Sequence, residues 1–173
     1  MKKISSLSLI LSLFIVGCGY KPSAHYVKEV LGERVYATVS TVIEEPENSI
    51  LLEDALKEAL KVRLNVSFSS RKDADSEIEL SLKGLNFRPL QHDEFGYVVL
   101  YRTEITLKAK HIYQKDGISR VAYYDLEGFY EFPVQSNASV SVAIKFDAIK
   151  FAALKALDTL IPKLALKGNM FGK

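Results

Sequence analysis

From Arg34 the chain alternates: Val35, Ala37, Val39 and Thr41 share one parity against Tyr36, Thr38, Ser40 and Val42, which predicts a strand with one buried face. Glu44-Glu45-Pro46-Glu47 ends it, a run that no central strand tolerates. Leu52, Ala55, Leu56, Ala59 and Leu60 then recur at helical spacing. They predict a helix from Ile50 to Leu64, with Asn48 or Ser49 as N-cap and Glu53 and Asp54 near the positive end of its dipole. Glu53, Lys57 and Lys61, with Glu58 beside them, make a solvated face of i,i+4 pairs. Val66-Ser67-Phe68 offers a short strand at most. Ile78, Leu80 and Leu82 alternate with charged and polar neighbours until Leu85 and Phe87 take the opposite parity, so a bulge is expected at Gly84.

The longest regular run follows. Tyr97, Val99, Tyr101, Ile105, Leu107, Ala109 and Tyr113 oppose Arg102, Glu104, Thr106, Lys108 and Lys110. Lys115-Asp116-Gly117 then predicts a tight hairpin, because Asp-Gly accepts positive φ. The return strand sets Ala122, Tyr124, Leu126, Tyr130 and Phe132 against Tyr123, Asp125, Glu127 and Glu131. Pro133 to Asn137 breaks the sheet. A second helix is expected from about Ser139 to Leu166, with Val142, Phe146, Ile149, Ala153, Ala156 and Leu160 as its stripe, broadened by Ile144, Phe151, Leu154 and Leu157. Pro162 should kink or end it. The order predicts an α/β (α+β) two-layer sandwich: a mixed, mostly antiparallel four-stranded sheet with two helices packed on one face. The first two main strands, joined through a helix, should be parallel by a right-handed crossover.

What precedes Arg34 is of another kind. Lys2 and Lys3 precede an uncharged apolar run from Ile4 to Val16 that is too short to span a bilayer, and Gly17 supplies a small residue at a cut. Cys18, the only cysteine, follows at once. Ile15-Val16-Gly17-Cys18 resembles the lipobox of bacterial lipoproteins, which implies cleavage before Cys18 and acylation of its thiol and amine. Several acyl chains, at about 0.8 kcal/mol per buried methylene, make such an anchor effectively permanent. Gly19 rather than Asp at the next position implies sorting to the outer membrane. The domain boundaries read as 1–17 signal peptide, 18–33 lipidated tether and lead, 34–167 one domain, and 168–173 a frayed tail.

Removing the leader leaves 173 − 17 = 156 residues, enough for one domain with a core. The net charge of +2 disappears with Lys2 and Lys3, leaving 23 − 2 = 21 basic against 21 acidic side chains. The balance gives no argument for nucleic acid. Without a second cysteine, neither a disulfide nor a thiolate metal site is available. His25, His92 and His111 are scattered, with no zinc spacing, and neither a nucleophile elbow nor a Gly-rich phosphate loop occurs. No catalytic residue, metal or cofactor is expected, and His111, on an apolar parity, reads as a semi-buried residue. Tyr123 and Phe129, on the outer parity, mark a contact surface. Arg88, Arg102, Lys108, Lys110 and Arg120 could offer charge to an anionic ligand.

Several features together resemble the LPS-assembly lipoprotein family, the LptE family of the Gram-negative outer membrane. They are Cys18-Gly19-Tyr20, the helix Leu52-Glu53-Asp54-Ala55-Leu56-Lys57-Glu58-Ala59-Leu60, Ala74-Asp75 before a strand reaching Gly84, and Tyr101-Arg102 opening a long strand. Phe129-Tyr130 closing its return and Ile161-Pro162-Lys163-Leu164 near the end of the last helix complete the set. The resemblance implies a lipid-anchored protein on the periplasmic side of the outer membrane. Such a protein plugs the LptD-type β-barrel, helps it assemble, and takes part in lipopolysaccharide transport and insertion. A polar, near-neutral outside suits a polar barrel lumen. Lipopolysaccharide presents clustered phosphates, and the basic residues nearest the strand-end turns, Arg88 and Arg102, are the candidate ligand contacts. The alternative is a periplasmic interaction lipoprotein, such as a secretin pilot or a cell-wall synthase activator, with a similar fold.

Overall fold

The structure, a computed structural model, describes Val27, residues 30–40 and residues 46–169. The leader, Cys18, most of the lead, Thr41 and residues 170–173 lie outside the described residues. The elements are β1 (Arg34–Val39), α1 (Pro46–Leu64), β2 (Ser67–Phe68), β3 (Ser76–His92), β4 (Val98–Lys115), β5 (Ile118–Pro133), α2 (Val142–Asp158) and α3 (Leu160–Asn169).

The sheet has five strands in the order β2-β1-β3-β4-β5, one more than the four expected, because Ser67 and Phe68 do form a short parallel edge on β1. β1 and β3 pair in parallel, as a strand–helix–strand connection requires. The other two pairings are antiparallel. The first strand buries Val35, Ala37 and Val39 as its alternation predicts. The change of parity in β3 occurs where expected: the register with β4 shifts between Leu82 and Gly84, leaving Lys83 as the extra residue. Asp116 (φ 54) and Gly117 (φ 73) form the two-residue turn between β4 and β5, whose register then runs without interruption from Lys115↔Ile118 to Leu100↔Pro133.

Helix α1 begins at Pro46, four residues before the expected start. Proline is suited to a first helical position because no N–H is required there. Asn48 and Ser49 are therefore buried inside the helix rather than capping it. The helix ends on Asn65 (φ 50), whose N–H donates to the Lys61 carbonyl at 3.0 Å. The Glu53–Lys57 pair forms at 2.5 Å, while Glu58 turns to Lys150 of α2 at 2.9 Å. Ser141 caps α2 by accepting from the Ile144 N–H. The expected single second helix is interrupted at Thr159, and Pro162 falls in the first turn of α3, where its missing donor costs little. That third helix also takes in Gly168 and Asn169, which the sequence left in a frayed tail.

The core lies between the helices and one sheet face. Leu52, Leu56 and Leu60 of α1 meet Ile78, Leu80, Ile105, Leu107 and Leu126 there. Val27, Val30 and Leu31 are helical and buried as well, so the core begins before Arg34 and includes part of the lead. The buried face of α2 follows only part of the expected stripe. Ile149, Ala153, Ala156, Leu157 and Leu160 are buried as expected, but Val142, Ile144 and Phe151 are exposed and Phe146 is half-exposed. Ala148 and Ala152 take their place. This small-residue face lets the helix settle onto β5 at Gly128, where a Cβ would come within 2.3 Å of the Ala152 carbonyl oxygen.

Candidate functional site

Helices cover one face of the sheet; the other carries the side chains of opposite parity, and Arg88, Arg102, Lys108 and Lys110 lie there. Arg88, Arg102 and Glu131 form one row across β3, β4 and β5. Next to it lies the row Asn86, Glu104 and Phe129. Two arginines directly opposite each other repel unless acids intervene, and both have one. The Arg88 guanidinium donates diagonally to Glu104 at 2.7 Å. The Arg102 Nε donates to Glu131 Oε1 at 2.9 Å, a second guanidinium nitrogen donates to the same oxygen, and the group lies 4.6 Å from the centre of the Phe129 ring. An Arg102–Glu104 pair along one strand, the partner its sequence offers, does not form, because the directly opposite Glu131 is closer to hand.

Arg88 and Arg102 are thus brought together, but as members of a charge-paired lattice rather than as free cations. Such exposed pairs are each worth under about 1 kcal/mol, so an anionic ligand could still exchange for the carboxylates. Lys110 continues the lattice to Glu79 at 3.5 Å, and Glu79 also accepts from the Ser40 hydroxyl at 2.8 Å. That hydroxyl bond is the main cause of the lowered Glu79 pKa. The Lys108 ammonium lies over Tyr123, 5.4 Å from the ring centre. Arg120 is remote from these: it pairs with Tyr113 near the hairpin turn, about 35 Å of strand away from Arg102.

Tyr123 and Phe129 are 61% and 55% exposed, as the outer parity implies. Beside Phe129, Glu104, Thr106 and Glu127 help line a depression of about 470 Å³ on the open face. On the helical side, where the sheet extends past the first turns of α1 and α2, Leu85, Phe87, Val142, Phe146 and Ile149 line a cleft of about 370 Å³. Lys145 stands at that cleft, 5.9 Å from the centre of the Phe87 ring. No local pattern signals this cleft, since its walls come from three elements.

At the strand ends, Asp93 organises the β3–β4 turn by accepting from the N–H groups of Phe95 and Tyr97 at 2.9 Å and from the Ser136 hydroxyl. The hydroxyl bond is the largest cause of its lowered pKa. Asp75 does similar work where the lead meets β3. It accepts from the N–H groups of Glu33 and Arg34 and from the Arg34 guanidinium, and these bonds, those from Arg34 foremost, lower its pKa. His111 is fully buried rather than semi-buried. Its ring stacks on Tyr113 at 4.8 Å, and neither nitrogen has a protein partner among the described residues. Burial, with the charge of Lys167 adding to it, lowers its pKa to about 4. Burial likewise raises the neighbouring Tyr124 hydroxyl to about 12.

No family model and no curated protein matches this chain. Solved structures do. The rare lipoprotein B from Shewanella oneidensis is 14% identical with a TM-score of 0.52, over 81% of this chain and 99% of that one. A lipoprotein B from Nitrosomonas europaea, of uncharacterised function, is 12% identical with a TM-score of 0.51, over 79% and 84%. A provisionally assigned lipoprotein from Caulobacter crescentus is 16% identical with a TM-score of 0.51, over 86% and 98%. The chain shares the mixed α+β fold of these proteins across nearly their whole length.

Proposed function

We propose that this chain is an outer-membrane lipoprotein, anchored through acyl chains on Cys18 and facing the periplasm. In this reading it plugs an LptD-type β-barrel, assists its assembly and takes part in lipopolysaccharide transport and insertion. The observation that carries the reading is the combination of a lipobox cysteine with a fold shared with a protein described as rare lipoprotein B. The open sheet face supports it physically. Its charges are largely paired within the face, as in Arg88–Glu104, Arg102–Glu131 and Lys110–Glu79. A surface of that kind can lie against the polar lumen of a barrel without stranding a net charge.

No catalytic step is assigned. The role is one of binding and positioning, with Arg88 and Arg102 as the groups that would exchange their carboxylate partners for lipid phosphates. The test is copurification of the detergent-solubilised chain, tagged at its C-terminus. A large outer-membrane β-barrel should accompany it in stoichiometric amount. Recovery of a secretin or a cell-wall synthase in the barrel's place would overturn the assignment in favour of a periplasmic interaction lipoprotein.

A further inference from the structure

We propose that the free edge of β5 docks an extended protein segment bearing Lys or Arg at alternate positions, which joins the sheet as a sixth strand. β5 is the last strand of the sheet. Its two-residue turn fixes which backbone groups are spare. In such a hairpin the residues flanking the turn, Lys115 and Ile118, form a hydrogen-bonded pair, and bonding alternates from there. The even-numbered residues of β5 therefore bond to β4, and the odd-numbered ones from Ser119 to Glu131 turn their N–H and C=O groups outward. One contact reports this orientation directly: Lys163 of α3 donates to the Asp125 carbonyl.

Native edges are usually blunted by bulges, prolines or charged covers. β5 has no register shift against β4, its proline stands at the last position, and Lys163 is the one such cover among the described residues. The same odd-numbered residues place their side chains on the open face. They include Asp125 and Glu127, for which no cation among the described residues lies within ion-pair distance. Lys108, directly opposite Asp125, is drawn over Tyr123. Exposed Tyr123 and Phe129 flank the two acids.

This pattern chooses between occupants. The odd-numbered positions of β5 contain no basic residue, so a second copy of the strand gives Asp125 and Glu127 no cation in any register. Full antiparallel overlap even sets Asp125 against itself or against Glu127, which is unfavourable. An incoming strand with alternating basic and apolar residues instead sets its cations on the open face, beside the two acids and over the Tyr123 and Phe129 rings, and its apolar residues on the helical face, while its backbone completes the ladder.

The experiment uses the full chain in detergent and three fluorescent nine-residue peptides. One alternates Lys and Val, the second alternates Glu and Val, and the third repeats the Lys–Val sequence with alternate amides N-methylated. The Lys–Val peptide should bind at least about tenfold more tightly than either other peptide. It should also slow hydrogen exchange at the odd-numbered β5 amides. Asp125→Lys with Glu127→Lys should transfer the preference to the Glu–Val peptide. The neutral pair Asp125→Asn and Glu127→Gln should abolish the preference while leaving thermal unfolding unchanged. Equal binding of the N-methylated peptide, or binding without protection of β5, would mean charge attraction alone and would overturn strand addition. Protection of β5 by self-association, in the absence of peptide, would assign the edge to a second copy and overturn the proposed occupant.

Discussion

Gly128 of β5 and Ala152 of α2 touch backbone to backbone. A methyl group at position 128 would stand 2.3 Å from the Ala152 carbonyl oxygen and 2.4 Å from the Ala156 nitrogen. Neither is the movable end of a side chain, so Gly128→Ala must push the helix off the sheet. A loss of about 3 kcal/mol is expected, at the upper end of overpacking costs. Gly84→Ala is the control, since its nearest neighbour would be Thr106 at 3.8 Å. Denaturant midpoints should separate the two variants clearly, and equal midpoints would show that α2 sits farther from β5 than described.

Leu56 is fully buried in α1 and its neighbour Lys57 is half-exposed. Leu56→Ala should cost about 2 to 5 kcal/mol, and Lys57→Ala under about 0.5. Phe146, on the expected stripe of α2, is half-exposed at the mouth of the 370 Å³ cleft. Phe146→Ala should therefore cost distinctly less than Leu56→Ala, and urea titrations rank the three.

The contrast between α1 and α2 shows where a sequence is legible. In α1 and the strands, the buried residues are large and apolar, so their spacing states which face is inside. In α2 the buried face sets Ile149 and Leu157 among Ala148, Ala152, Ala153 and Ala156, and the alanines belong there because a glycine opposite allows close approach. Size then ranks the faces wrongly: Phe146 and Phe151 appear interior while alanines occupy the contact. The same limit applied to the site. Parity placed Arg88, Arg102, Tyr123 and Phe129 on the outer face, but the choice of Glu131 over Glu104 depends on the β4–β5 register, which only the turn and the complete pairing define. The free edge of β5 depends on strand order, which no local pattern encodes.

His111 gives the fold a specific sensitivity to acid. Its folded-state pKa of about 4 lies below the ordinary 6.5, so the folded form resists the proton that the unfolded chain accepts. Stability is whole above about pH 6.5 and declines as pH falls toward 4, by roughly 3 kcal/mol in all. The carboxylates with lowered values, Asp75, Asp93 and Glu79, add their losses only further into acid. His111→Leu should flatten the curve between pH 6.5 and 4 and leave the lower limb in place. Thermal melts at half-unit pH steps provide the check, and an unchanged slope in the variant would remove His111 as the source.

Because Arg88 and Arg102 both hold carboxylates, replacing them with Glu would crowd like charges beside Glu104 and Glu131 and confuse binding with stability. Arg88→Gln with Arg102→Gln avoids this. The double variant should unfold within about 1 kcal/mol of the parent. In titrations at low salt it should bind lipopolysaccharide less tightly and with a shallower dependence on ionic strength. Parental affinity would exclude both residues from the ligand site.

Cys18→Ser should block acylation, since a hydroxyl does not replace the thiolate as acceptor of a diacylglycerol. Uncleaved precursor should accumulate, and metabolic labelling with a fatty acid should mark the parent chain alone.

Val27 is fully enclosed in the core, and it lies only 27 − 18 = 9 positions after Cys18. Even a straight chain of that length reaches about 30 Å. With Cys18 acylated as proposed, the domain would be on a leash roughly as long as a bilayer's hydrocarbon layer is thick. It can turn and tilt at the membrane surface, but Val27 stays within that radius of the lipid headgroups, and a strand as long as β4, of 18 residues and about 60 Å, sets how much farther the rest of the domain can reach.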